Sequence, residues 1–274
     1  MGAAAKDRER ALTASGEELT ALLHHSDSGV LMAMLDNPAL DEAQLCLLLE
    51  RKNLPTEVLE EVARRKPLLK AYRVKRGLAF HPKTPRLVTL RLLKDLYLMD
   101  LVQLTLSPAI PAELKLNAEE QLISRLPQLP LGQKITLARR GPARLAGALL
   151  AEGHAQVIPL VLDNPHLTEA QVLKVLAREK LPPGVVLAVT QHRKWALAYN
   201  IRLALVRHPA SPLSIVLGYL PELTVSDLRE LAFPGIVGES LRQYLQAEVQ
   251  RRMRASRNPR DEATGTPRDA SKQT

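Results

Sequence analysis

A single cysteine, Cys46, in 274 residues leaves this chain no internal disulfide and no thiolate set for a zinc or iron–sulfur centre. Aromatic side chains are nearly as scarce: five Tyr, two Phe and one Trp must share a core that Leu, Ala and Val dominate. No apolar run approaches the ~18 residues of a membrane span. The opening stretch from Met1 to Arg8 has no apolar segment of signal-peptide type, and Lys6 stands where a myristoylation signal wants Ser or Thr. These absences predict a cytoplasmic, reduced setting. Catalytic signatures are missing as well: there is no phosphate loop ending in Gly-Lys-Ser/Thr, no His-Glu-x-x-His and no Gly-x-Ser-x-Gly elbow.

What is present begins with repetition. Leu35-Asp36-Asn37-Pro38-Ala39-Leu40-Asp41-Glu42-Ala43-Gln44 returns as Leu162-Asp163-Asn164-Pro165-His166-Leu167-Thr168-Glu169-Ala170-Gln171, 127 residues later. The offset then holds without a gap. Leu54-Pro55 meets Leu181-Pro182, Ala71-Tyr72 meets Ala198-Tyr199, His81-Pro82 meets His208-Pro209, and Asp100-Leu101 meets Asp227-Leu228. About 26 of 73 aligned positions are identical between residues 35–107 and 162–234, more than shared composition explains. Within each copy the Asn-Pro and His-Pro pairs lie 44 residues apart, and a third of 127 is about 42, a length that suits a two- or three-helix repeat.

Local signals predict helices throughout. Proline cannot extend a helix and drives its predecessor out of the α region, so each Asn-Pro or His-Pro pair closes one helix and starts the turn to the next. Asp41 and Gln44 read as a capping box with Leu40 and Leu45 as its hydrophobic staple, and Thr168 with Gln171 repeats it between Leu167 and Val172. Thr84-Pro85 and Ser211-Pro212 read as hydroxyl caps followed by proline at the first helical position. No sustained period-2 alternation marks a strand, so some 15 or more short helices are expected.

The ~42-residue unit, the Leu/Ala/Val core and the punctuation at Asn37-Pro38 resemble HEAT-type repeats, and His81-Pro82-Lys83-Thr84-Pro85 also resembles the turns of bacterial leucine-rich-repeat variants. The resemblance spans most of residues 17–252. It implies an all-α fold, a right-handed α-solenoid of stacked helix pairs with an internal duplication at offset 127, that binds partners along an elongated surface. The expected organisation is a flexible N-terminus over 1–14, a first block over 15–127, a second over 128–254, continuous with the first, and a disordered basic tail over 255–274.

Single residues that could carry chemistry have simpler roles to hand. His24 and His25 are adjacent and diverge by about 100° on a helix, so they cannot face one metal together. His81 and His208 stand before proline where Asn37 and Asn164 stand in neighbouring units, which reads as helix closure. Cys46 takes the place of Leu173, and Trp195 that of Leu68, both apolar positions. Tyr72 and Tyr199, the one aromatic pair kept between copies, read as core residues with a bonded hydroxyl or as ligand contacts. No acid–base pair at helical spacing belongs to one copy alone, so neither enzyme chemistry nor a cofactor is expected.

Charge supplies the functional candidate. The formal net charge is +9, and the tail from Arg251 onward provides four of it, with seven basic and three acidic residues. Between Val62 and Lys94 there is no acid, but there are eleven Lys and Arg; the matching stretch 189–221 is also acid-free and has only Arg193, Lys194, Arg202 and Arg207. Like charges at helical spacing repel, so a copy-specific cluster suggests a use other than stability. A solvated basic face is the plain alternative, since long basic side chains readily lie over apolar surface. Lys66, Lys70 and Arg73 share one helix face if Pro67 opens that helix. The expected partner-binding residues are Arg65, Lys66, Lys70, Arg73, Arg76, Lys83 and Arg86. The expected function is a non-enzymatic scaffold for an acidic protein segment, with a nucleic-acid-binding solenoid, similar to HEAT-like DNA glycosylases, as the alternative.

Overall fold

The computed structural model describes residues 2–178 and 180–257 and is all-α, with no strand among the described residues. Nine helices come first: α1 (Gly2–Thr13), α2 (Gly16–Leu22), α3 (Ser28–Leu35), α4 (Glu42–Glu50), α5 (Thr56–Arg64), α6 (Tyr72–Phe80), α7 (Arg86–Leu92), α8 (Leu98–Leu106) and α9 (Ala112–Arg125). Nine more follow: α10 (Leu131–Arg140), α11 (Ala143–Glu152), α12 (Ile158–Leu162), α13 (Glu169–Leu176), α14 (Pro183–Gln191), α15 (Tyr199–Arg207), α16 (Leu213–Tyr219), α17 (Val225–Leu231) and α18 (Glu239–Arg257). The first residues of α2, α4, α5, α6, α7, α8 and α9 and those of α11, α13, α14, α15, α16, α17 and α18 differ by 127 in each case. No described helix is long and apolar enough to cross a membrane.

The chain divides into two compact units, one ending at Leu145 and the other beginning at Ala146, where 127/128 had been the expected division. In the first unit α3 packs on α1 and α5, α4 on α6, and α9 on α7 and α8. Val30, Leu31 and Met34 of α3, Leu45 and Leu48 of α4, Val58, Leu59 and Val62 of α5, and Val74 and Leu78 of α6 are buried at three- and four-residue spacing. In the second unit α13 packs on α15, α14 on α12 and α18 on α17. Its end is closed by Val206, Val216, Leu220, Leu228, Leu231 and Leu245. Each fully buried Leu or Val contributes about 1.5–3 kcal/mol of transfer energy, which is how a core poor in aromatics holds together.

Asparagine and proline divide the work at the turns. Asn37, 5% exposed, donates from Nδ2 to the carbonyls of Ala11 and Ala14 at 2.8 Å each, while its Oδ1 accepts the Ala39 N–H at 2.8 Å. It thereby satisfies carbonyls at the end of α1 that the helix leaves open. Within the leader, residues 2–13 form α1, to whose end Asn37 is bonded and in which Ala11 is buried. At the other terminus α18 extends to Arg257, and the rest of the tail expected over 255–274 lies outside the described residues.

The capping box of Asp41 and Gln44 is formed in both directions, at 2.7 and 3.2 Å. The Thr84-Pro85 reading requires correction. Thr84 Oγ1 donates back to the Leu78 carbonyl of α6 at 2.7 Å, and Pro85, extended at φ −54° and ψ 136°, is the residue in front of α7. Proline removes an N–H and fixes φ, and both properties suit that boundary as well as the first helical turn. The helix supposed to open at Pro67 is likewise broken: a 3₁₀ turn over Leu68–Lys70 ends at Ala71, which is extended (φ −73°, ψ 121°), and α6 begins anew at Tyr72. Ala198 makes the same break before α15 (φ −74°, ψ 122°). Lys66, Lys70 and Arg73 therefore do not share one helical face.

Candidate functional site

The basic segment runs from the end of α5, through the 3₁₀ turn and α6, to α7. Five of its eleven cations meet acids that lie outside it in sequence. Arg64 bonds Glu61 at 2.8 Å; Arg65 bonds Glu61 at 2.9 Å and Asp36 at 2.7 Å, and also donates to the Leu35 carbonyl. Lys75 meets Asp95 at 2.7 Å. Arg76 bonds Asp100 at 2.8 Å and Gln103 at 3.0 Å, with its guanidinium 4.9 Å from the Phe80 ring centroid. Arg86 pairs with Glu113 of α9. A run that looked uncompensated in sequence is thus partly neutralised across helices, about 20–30 residues away in the chain.

The seven expected binding residues separate accordingly. Arg65 is held by Glu61 and Asp36, Arg76 by Asp100 and Arg86 by Glu113. Lys66, Lys70, Arg73 and Lys83 are exposed, and none forms an ion pair or side-chain hydrogen bond among the described residues. Lys66 and Lys70 flank the 3₁₀ turn, Arg73 stands in the first turn of α6, and Lys83 lies between α6 and α7. Arg91 and Lys94 are also exposed and unpaired among the described residues.

Several of the ties recur in the second unit at the offset of 127, which marks them as architectural. Leu35 O is taken by Arg65, and Leu162 O by the Trp195 indole N–H at 2.9 Å. Asp36 faces Arg65, and Asp163 faces His192 at 3.2 Å. Lys75 pairs with Asp95, and Arg202 with Glu222. Arg125 donates to the carbonyls of Leu96 and Lys94 at 2.8 Å each, and Arg252 to those of Leu223 and Leu220 at 2.7 and 2.8 Å. Cations so used serve carbonyl groups left open at the ends of short helices. Of the four expected residues that are free, three have no charged counterpart: Lys70, Arg73 and Lys83 correspond to Leu197, Asn200 and Ala210, while Lys66 corresponds to Arg193.

The tyrosines form a clasp in each unit. Tyr72 donates its hydroxyl to Asp100 and accepts the Tyr97 N–H at 2.9 Å; Tyr199 donates to Asp227 and accepts the Thr224 N–H at 3.0 Å. The rings of Tyr72 and Tyr97 stack at 3.9 Å. Burial, with the Asp100 carboxylate beside it, pushes the Tyr72 phenol up to about 12, so it remains a proton donor to that carboxylate. Hydrogen bonds from Thr224 and Tyr199 hold Asp227 below the ordinary carboxylate range.

Trp195 is 3% exposed, as expected of packing. Cys46 is half-buried on α4, and burial, with Glu42 adding, pushes its thiol up, against the opposing charge of Arg73; a protonated thiol is a poor nucleophile. His81 ends α6, with Nδ1 accepting the Lys83 N–H at 3.1 Å and Nε2 bonded to the Arg51 carbonyl at 2.8 Å. No group of three or more His, Cys, Asp or Glu among the described residues is placed to hold a metal ion. The acids that sequence reasoning missed, Asp36, Asp95, Asp100 and Glu113, show one faint signal. Asp36, Asp95 and Asp100 keep an acid at the matching positions Asp163, Glu222 and Asp227, whereas Glu113 does not. No family model, curated protein or solved structure matches the chain.

Proposed function

We propose that the chain is a non-enzymatic helical-repeat scaffold, an internally duplicated right-handed α-solenoid of HEAT-like character, that receives an acidic protein segment on its first unit. The observation that carries the reading is the set Lys66, Lys70, Arg73 and Lys83. All four are exposed and unpaired among the described residues, whereas the tied cations nearby have structural partners. Free ammonium and guanidinium groups on a folded support bind carboxylates without first breaking an internal pair. Recurrence of helix starts and of the tyrosine clasps at offset 127 supports the duplication.

The test uses the full chain, a decapeptide of alternating Glu and Asp, and duplex and single-stranded DNA, titrated from about 50 to 200 mM salt. The peptide is expected to bind at low salt, and the variant carrying Lys66→Met, Lys70→Met, Arg73→Met and Lys83→Met to bind it at least ~10-fold more weakly with an unchanged fold. Equal binding by the variant overturns the assignment of these residues. Tighter binding of DNA than of peptide, with a steep salt dependence lost in the variant, transfers the site to a nucleic-acid partner.

A further inference from the structure

The second unit carries a groove of about 480 Å³ between α13 and α15, walled by Leu173, Leu176, Leu203 and Ala204. His208 lines it, although only 6% of that residue is exposed. Its Nδ1 accepts the Ala210 N–H at 3.1 Å, so the ring proton of the neutral imidazole sits on Nε2. That Nε2 is buried and has no hydrogen-bond partner among the described residues. A buried donor without an acceptor is rare in folded proteins.

The first unit shows what is missing. His81 holds the same backbone contact through Nδ1, to Lys83, but its Nε2 meets the Arg51 carbonyl at 2.8 Å. The residue in the place of Arg51 is Arg178, and it lines the groove. The edge of the ring that faces α4 in one unit thus faces the α13 side of the groove in the other. The two helices also end differently. Helix α4 continues to Glu50 and turns extended at Arg51 (φ −73°, ψ 110°), presenting that carbonyl to the imidazole. Helix α13 stops at Leu176, Ala177 keeps near-helical angles (φ −73°, ψ −4°), and no carbonyl among the described residues meets the His208 Nε2.

Two other polar residues at the groove are already engaged, Asn200 with Glu169 at 2.9 Å and Arg207 with Glu230 at 2.8 Å. Arg178 is exposed and has no side-chain partner among the described residues. Two donors are therefore unengaged here: the Arg178 guanidinium, exposed at the groove, and the His208 Nε2–H, buried beneath its leucine and alanine walls. We propose that this groove binds the carboxylate of a leucine-sized apolar acid, with the charge met by Arg178 and one oxygen accepting from His208 as the side chains over Nε2 give way to the ligand. A free carboxylic acid and the C-terminus of a partner chain share that chemistry. The site is separate from the basic segment of the first unit and does not rest on the function proposed above.

The experiment titrates the full-length protein with N-acetyl-leucine and with its neutral amide, following the His208 imidazole ¹⁵N resonances and the heat of binding. A hexapeptide ending in a free leucine carboxylate and its C-terminal amide form the second pair. Either acid is expected to shift the His208 resonances and to bind at least ~10-fold more tightly than its amide. The peptide pair shows whether a chain terminus is accepted. Arg178→Met, at an exposed position, is expected to weaken the acid at least ~5-fold without altering the thermal transition. His208→Phe abolishes binding, and the four-residue Met variant of the first unit binds the acid as the parent does. Absence of binding by both acids up to about 10 mM, equal binding of acid and amide, or indifference to Arg178→Met overturns the proposal.

Discussion

Leu35 O in the first unit is held by an arginine, and Leu162 O in the second by a tryptophan. Asp36 meets Arg65, and Asp163 meets His192. The same backbone group and the same carboxylate are served in both units, by side chains of different kinds. The frame therefore constrains where a donor must stand and leaves its chemistry open, provided that the carbonyl is satisfied. The units differ in what remains after those needs are met. In the first, Lys66, Lys70, Arg73 and Lys83 are exposed and unengaged among the described residues; in the second, three of these positions are Leu197, Asn200 and Ala210. The second has instead a His208 whose buried Nε2 is unpartnered among the described residues, beside a groove, where the first seals His81 against Arg51. Surplus charge in one unit and an unused buried donor in the other are the features that the shared frame does not explain.

Substitution at equivalent positions tests this comparison most strongly in the core. Leu78 and Leu205 are both fully buried, and alanine at either is expected to cost about 2–5 kcal/mol in urea unfolding. A large effect at one and none at the other would break the equivalence of the units. Asn37→Ala orphans the carbonyls of Ala11 and Ala14, with an expected cost of about 1–3 kcal/mol and early loss of hydrogen-exchange protection in α1. Tyr72→Phe and Tyr199→Phe each remove one clasp; about 1 kcal/mol is expected, the half-buried Tyr72 costing more than the exposed Tyr199.

A smaller effect is expected from acid. Glu248 is held down to about 2 by hydrogen bonds from Arg251 and Arg252, and Arg252 also serves the carbonyls of Leu220 and Leu223. A carboxylate with a depressed value in the fold contributes fully above its ordinary 4.5 and loses that contribution as pH falls through about 2. The end of α18 is therefore expected to fray across that window, seen as lost helical signal at constant salt, and Glu248→Gln should show the same fraying at neutral pH. Smallest of all is the effect on stability of neutralising Lys66, Lys70, Arg73 and Lys83, expected within about 0.5 kcal/mol per site, against a larger loss for Arg65→Met. Equal losses would show that the free cations are structural after all.

Much of the helical framework could be read from particular residues. Asp41 and Gln44 announced the start of α4, and the Asn-Pro and His-Pro pairs marked chain reversals, because caps and prolines act within a few residues of backbone. The break at Ala71 gave no such sign. Alanine is the best helix former, and its extended angles follow from the placement of Tyr72, whose hydroxyl reaches Asp100 and the Tyr97 N–H. Thr84 was legible as a boundary residue but not in its direction, since a hydroxyl between two helices can bond back to a carbonyl of the first as well as cap the second.

The candidate site was legible as composition and opaque as geometry. Eleven cations without a neighbouring acid are plain in the sequence, but which of them stay free depends on Asp36, Asp95, Asp100 and Glu113, brought in from other helices. Likewise, two histidines before proline look interchangeable. Only the structure shows that His81 Nε2 meets the Arg51 carbonyl while the buried His208 Nε2 has no partner among the described residues. The sequence by itself determined an all-helical chain, its helix starts and its 127-residue recurrence, because caps, prolines and apolar spacing are local. Only the tertiary structure decided which charges and which imidazole are left unengaged, since satisfaction of a polar group depends on partners that the chain supplies from afar.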